Sequence, residues 1–225
     1  MTSNPLRARQ WDIDRRSLSA QEAHDLAYGA GSGRKVWIFE PTRAAVVLGS
    51  TQRDDIVDHE QAAARGLDIA RRRSGGGAVT LDSSVVWIDF VIERDDPLWD
   101  DDIGRSMQWL GQLWSGTLSS IGVDALVHAG PPVVSALSRA ICFCGVGHGE
   151  VIVGGRKAIG ISQRRTRDGA RFQSMLNTRP ESQLTDVLRL DDREAARIAY
   201  ADAVYVVERT PHSIIDALIE QLSAQ

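Results

Sequence analysis

Leu67-Asp68-Ile69-Ala70-Arg71-Arg72-Arg73-Ser74-Gly75-Gly76-Gly77-Ala78 runs a short apolar-polar segment into three arginines and then three glycines. Residues 67–70 read as a strand. From Val79 through the alternating Val86-Trp87-Ile88-Asp89-Phe90-Val91-Ile92 the chain reads as strand again. The spacing therefore predicts a tight glycine loop between strands. Lacking Cβ atoms, such a loop brings its backbone N–H groups close to an anion. The arginines add planar, permanently charged forks for phosphate or carboxylate. The same letters also fit a glycine-rich hairpin turn beside a solvated basic patch, so the rest of the chain has to decide.

Working outward, Ser19-Ala20-Gln21-Glu22 is a capping-box pattern that opens a helix through about Tyr28. Residues 35–40 and 44–48 read as strands joined by a Pro41-Thr42-Arg43 turn. Residues 57–65 read as a helix ended by Gly66. The longest helical pattern spans 100–121, with Ile103, Met107, Leu110, Trp114, Leu118 and Ile121 on one face, although Gly104, Gly111 and Gly116 weaken it. Residues 126–128 predict a strand broken by Ala129-Gly130-Pro131-Pro132. Gly154-Gly155 between apolar 151–153 and 157–161 is a hairpin signal, 171–176 a further strand, and 191–225 helical. Strands dominate the middle, helices flank them, and no Pro- or Ser-rich linker divides the chain. The expectation is one α+β domain over residues 1–225, with a mostly antiparallel mixed sheet flanked by helices.

The 225 residues are 43% hydrophobic and 25% charged, with net charge −4. That composition can bury a sizeable core and gives no global attraction to nucleic acid or an anionic membrane. The first sixteen residues carry no apolar signal segment, and no apolar run is long enough to span a bilayer. Two cysteines one residue apart do not suggest a disulfide framework, so the expected compartment is the cytoplasm.

Three further groups could carry chemistry. Lys157 follows the Gly154-Gly155 turn on an apolar strand among small neighbours, Gly155 and Gly160. Facing a pocket, it would neutralise a phosphate or polarise an acyl carbonyl; at a sheet edge it would only discourage aggregation. Cys142-Phe143-Cys144, if extended, points both thiols to one side, and one could carry an acyl group as a thioester; otherwise both fill core. Of the five histidines, His24 and His59 are expected on helix surfaces, and none forms a metal or triad motif. Asp82 either shapes the site or caps a turn. No metal site is expected.

Taken together, the chain resembles the lipoate–protein ligase and octanoyltransferase family, related in fold to biotin–protein ligases. Three ordered blocks carry the likeness: Val46-Val47-Leu48-Gly49-Ser50-Thr51-Gln52, then Arg72-Arg73-Ser74-Gly75-Gly76-Gly77-Ala78-Val79, then Gly155-Arg156-Lys157-Ala158-Ile159-Gly160-Ile161-Ser162-Gln163-Arg164. The resemblance implies a catalytic domain of the biotin/lipoate protein ligase type. It places Lys157 at the acyl carbonyl or acyl phosphate, Arg72 and Arg73 beside an adenylate phosphate, and Gly75, Gly76 and Gly77 along the acyl tunnel, with Ser74, Ala78, Gly155 and Gly160 as further substrate-binding positions. Cys142 with Glu150 eight residues on resembles the branch that carries octanoyl on cysteine. Departures are Gly147-His148-Gly149-Glu150 in place of an Asn-Asp element, and Phe172-Gln173 in place of His-Gly. The chain is also too short for the C-terminal accessory domain common in the ligases.

The resemblance implies an enzyme that modifies a lysine of an apo lipoyl carrier domain. The leading expectation is a ligase that attaches lipoate or octanoate through an acyl-adenylate, with ATP and Mg²⁺ and a possible separate accessory protein. The first alternative is a transferase that takes octanoyl from a carrier protein through a Cys142 thioester, with no cofactor. The second is a non-catalytic member that binds the acyl group or the carrier.

Overall fold

The structure, a computed structural model, describes residues 10–181 and 183–224. Its centre is a seven-stranded sheet in the order β1 (Trp11–Leu18), β2 (Arg34–Pro41), β6 (Val85–Glu93), β10 (Gly169–Asn177), β9 (Arg156–Arg165), β8 (Val151–Val153), β7 (Leu126–Val127). Only β1 and β2 pair in parallel; every other pair in this sheet is antiparallel. A second sheet has three strands in the order β4 (Asp68–Arg71), β3 (Ala45–Leu48), β5 (Val79–Leu81). The expected α+β architecture holds, built on two sheets.

Strand alternation explains the layers. Along β2 and β6, Val36, Ile38, Val86, Ile88, Phe90 and Ile92 face one way, and Trp37, Phe39, Val85, Trp87 and Val91 the other. The first set packs under helices α3 (Gln108–Ser120) and α6 (Pro211–Ala224) through Leu110, Leu113, Trp114, Leu118, Ile214 and Leu218. The second set packs against the small sheet together with α1 (Ala20–Asp25), α2 (His59–Ala64), α4 (Gln183–Val187) and α5 (Arg193–Ala203). Because β6 is covered on both faces, eight of its nine residues are buried. The functional side chains lie between the two sheets.

Several boundaries differ from the sequence reading, each for a local reason. α1 begins at the predicted Ser19–Glu22 capping box but stops at Asp25. The 100–121 pattern yields a helix only from Gln108. Asp102 accepts from Arg105 N, a short 3-10 turn occupies Arg105–Met107, and Ile103 is left 62% exposed. The strand after the glycines is two strands, separated by a turn in which Asp82 accepts from the N–H and hydroxyl of Ser84, the capping role for that residue. β2 and β3 do not form a hairpin; they belong to different sheets.

Candidate active site

The glycine loop is not a hairpin either. β4 and β5 both pair with β3, parallel and antiparallel respectively, so the loop crosses the end of β3. The end of β3 supports it. Gln52 Oε1 accepts from Gly49 N at 2.9 Å, and Gln52 Nε2 donates to the carbonyls of Arg139 and Ala140 at 3.1 Å each. Ser50 N donates to Ser74 O at 2.9 Å. A Cβ on Gly49 would stand 1.9 Å from Gly76 O, which explains a glycine at the head of the Gly-x-x-Gln block. Arg71 lashes the same turn by donating to Gly49 O and Gln52 O.

Arg72 is buried and serves the loop from inside. It donates to Gly77 O at 2.7 Å and to Gly75 O at 3.0 Å. Burial lowers its pKa, and the nearby Cys142 sulfur and Glu150 carboxylate oppose that fall. Among the described residues no acceptor takes the N–H groups of Gly75, Gly76 or Gly77. Beyond the loop, Ala78 N donates to Ala140 O and Cys142 N to Ala78 O, at 2.8 and 3.0 Å, which ties the glycines to the cysteine backbone. A Cβ on Gly77 would sit 2.6 Å from the carbonyl carbon of Ile141 and 2.7 Å from Cys142 N. Gly77→Ala must therefore push Cys142 aside. The expected result is a fall in stability of about 1–3 kcal/mol and about a hundredfold loss of turnover, measured by thermal unfolding and an acyl-transfer assay.

Cys142 lies in a 3-10 turn, Cys142–Cys144, not in a strand. The two thiols consequently part company, which corrects the expectation that both point to one side. Cys142 is half-buried and lines a pocket; Cys144 is buried, and burial pushes its thiol up to about 11. Lys157 reaches Cys142 from β9. Its Nζ lies 2.7 Å from Glu150 Oε1, 3.1 Å from Gly145 O, 3.2 Å from Cys142 O and 3.8 Å from Cys142 Sγ. Lysine and glutamate side chains are 2% and 4% exposed, so the edge-strand reading of Lys157 does not hold. Burial pulls the ammonium down, but Cys142 and Glu150 more than offset it, and its pKa is raised. Glu150 also accepts from Gly147 N and Ile161 N at 2.6 and 3.0 Å, which satisfies a buried carboxylate that would otherwise be costly. An ammonium has three protons, and four acceptors surround this one.

Beneath Cys142 the pocket is lined by apolar Val47, Val79, Leu81 and Trp87, and by the polar His24 and Gln173. Gly160 lies on its wall, where a Cβ would meet the Phe143 ring at 3.1 Å. Ser74 Oγ bridges Ser162 Oγ and Gln173 Oε1, both at 2.9 Å. Of the residues expected at the site, Arg72, Ser74, Gly76, Gly77, Cys142, Lys157 and Gly160 meet here. Arg73 does not: it is exposed and pairs with Asp25 at 3.2 Å. Gly155 sits with Gly154 at the hairpin turn, both at positive φ, and shapes β9 without lining the pocket. The expected solvated His24 is instead 6% exposed and on the pocket wall, because the short helix α1 turns that face onto Trp87.

Residues 15–221 match the lipoyl protein ligase A/B catalytic domain family. The chain belongs to that family. Among curated relatives of this family, it is 29% identical over 163 residues to the octanoyltransferase LipM of Clostridioides difficile, covering 70% of this chain and 58% of that protein. It is 32% identical over 169 residues to the octanoyl-[GcvH]:protein N-octanoyltransferase of Geobacillus kaustophilus, covering 72% and 54%. It thus spans less than two thirds of the length of either. In fold it is similar to the bipartite lipoate protein ligase of Thermoplasma acidophilum, with a TM-score of 0.72 at 18% identity over 95% of this chain and 84% of that one. A lipoate-protein ligase A bound with ATP gives the same TM-score and identity over 96% and 84%. The biotin/lipoate ligase catalytic fold expected from the three blocks is the fold of the family.

Proposed function

We propose that this protein is an acyltransferase that holds an acyl group of the octanoyl or lipoyl kind as a thioester on Cys142 and passes it to a lysine of a lipoyl-type carrier domain. The observation that carries this is the placement of Cys142, which lines a largely apolar pocket with its Sγ 3.8 Å from a buried ammonium. In the first half-reaction the Cys142 thiolate attacks the donor thioester. A new S–C bond forms, the donor's S–C bond breaks, and the donor leaves as a thiol after taking a proton. In the second, the neutral carrier amine attacks the Cys142 thioester. The C–N bond forms, the S–C bond breaks, and the proton shed by the amine returns to the cysteine sulfur. Charge developing on the carbonyl oxygen is offset by Lys157, 3.8 Å from Cys142 Sγ, and by the glycine-loop N–H groups, which no acceptor takes among the described residues.

A second reading, ATP-dependent ligation through an acyl-adenylate, draws on those same N–H groups, which suit a phosphate. Arg72 would add charge there only by giving up its loop carbonyls. ATP and Mg²⁺ would then be required, and residues 75–77 would hold the phosphate. An apo lipoyl carrier domain incubated with the protein separates the readings by intact mass. Mass gain with octanoyl-carrier protein alone supports the transferase; gain only with free lipoate or octanoate and Mg-ATP supports the ligase. No gain in either overturns both in favour of a non-catalytic binding protein.

A further inference from the structure

A second groove adjoins the glycine loop. It runs between the turn after β3 and the segment leading to Cys142, and Gly76 belongs to its lining. A Cβ on Gly76 would stand 3.9 Å from Cys142 Sγ, so the same glycine borders both the groove and the thiol. The charged residues of the groove are Arg53, Asp55, Arg139 and Arg189. Arg53 and Asp55 pair at 2.7 Å and cancel, and the neighbouring Asp54 pairs with Arg71. Asp55 also feels the charge of Arg189, but among the described residues no carboxylate lies within ion-pair distance of Arg139 or Arg189. Both are exposed, and neither guanidinium donates to another described residue, so neither charge is engaged in holding the fold. The groove thus carries a surplus of positive charge on a chain whose net charge is −4.

The loop that leads into Arg139 adds apolar surface. Residues 129–138 contain no charged side chain, and Val133 and Val134 are 55% and 70% exposed. Val133 and Val146 exchange backbone hydrogen bonds at 2.8 and 2.9 Å, which holds the loop beside the Cys142 turn. Adjacent exposed apolar residues next to unpaired arginines make a surface suited to a protein partner. The sign of the charge says which kind. An acidic partner is repelled by the chain as a whole and drawn to this groove alone, which fixes where and how it lands. The charge also favours an amine acceptor. Nearby cations disfavour an incoming ammonium, so a carrier lysine arrives more readily as the neutral amine that attacks the thioester.

We propose that this groove, with the Val133-Val134 loop beside it, docks the acceptor carrier domain through acidic residues that flank its target lysine. This rests on the Cys142 thioester reading and names the surface that presents the amine to it. In the test, Cys142 is loaded from octanoyl N-acetylcysteamine thioester with no carrier present, and intact mass then follows single-turnover transfer to an apo lipoyl carrier domain. In the double variant Arg139→Glu with Arg189→Glu, loading stays within about twofold while the carrier concentration for half-maximal transfer rises at least about tenfold, and the saturating rate changes little. In the unmodified protein the same concentration rises at least about tenfold as ionic strength goes from about 0.05 to about 0.5 M, a readout that needs no variant. An unchanged half-maximal concentration in the double variant, with loading intact, overturns the inference and leaves the thioester reading standing. So does slowed loading from octanoyl-carrier protein with unaltered transfer, which would assign the groove to the donor. No loading of the unmodified protein by the small thioester overturns the thioester reading and the inference with it.

Discussion

Cys142→Ser eliminates the acyl-enzyme and lowers acyl transfer to a carrier lysine by at least about a thousandfold, as loss of a covalent nucleophile does elsewhere. Serine keeps the shape of the side chain, but its hydroxyl is a far weaker nucleophile, and no histidine base touches this position among the described residues. Cys144→Ser is the matched control two residues away. That thiol is buried and its pKa is pushed up to about 11, so it stays protonated at neutral pH and offers no thiolate. Its replacement keeps transfer within about tenfold of the unmodified rate, a margin set by packing. Equal loss in the two variants, in steady-state transfer and in acyl-enzyme mass, contradicts the assignment of Cys142 as nucleophile.

Lys157→Met has two separable effects. It leaves the Glu150 carboxylate buried without its cation, 2.7 Å from where the ammonium stood, and should lower unfolding free energy by about 3–5 kcal/mol. It also removes the charge facing the reacting carbonyl, with an expected loss of about 10²–10³-fold in kcat. Denaturant unfolding and single-turnover kinetics measure the two. The double variant Glu150→Gln with Lys157→Met removes both charges, so much of the stability returns while transfer stays low. Recovery of transfer with stability in the double variant would mean that Lys157 acts only through folding.

The glycine blocks were legible because their constraints are local. Gly154-Gly155 announces its hairpin through backbone conformation, and the triple glycine announces a close approach, which the structure resolves as Gly49 against Gly76 O and Gly77 against Ile141. The capping box at Ser19 likewise fixed where α1 begins. What was not legible depends on tertiary packing. Cys142-Phe143-Cys144 has no periodicity to distinguish an extended segment from a turn, and its turn is tied by the bond from Cys142 N to Ala78 O, far away in sequence. His24 belongs to a six-residue helix whose inward face is chosen by Trp87 and Gln173, so no pattern within the helix reveals its burial. β1 escaped notice because it is an edge strand with only Trp11 buried, and its polar letters Asp12, Asp14, Arg15 and Arg16 mask the alternation. Glu150 was visible only as a spacing from Cys142; its pairing with Lys157 needed the fold.

The central claim is that the acyl group rests on Cys142, and peptide-level mass spectrometry after a short incubation with an octanoyl thioester donor, quenched in acid, tests it most directly. The account predicts an acyl adduct on the peptide containing Cys142, released by neutral hydroxylamine and chased by an apo lipoyl carrier domain at the rate that carrier gains mass. A carrier that gains mass only with free acid and Mg-ATP, while Cys142 stays unmodified throughout, would contradict it.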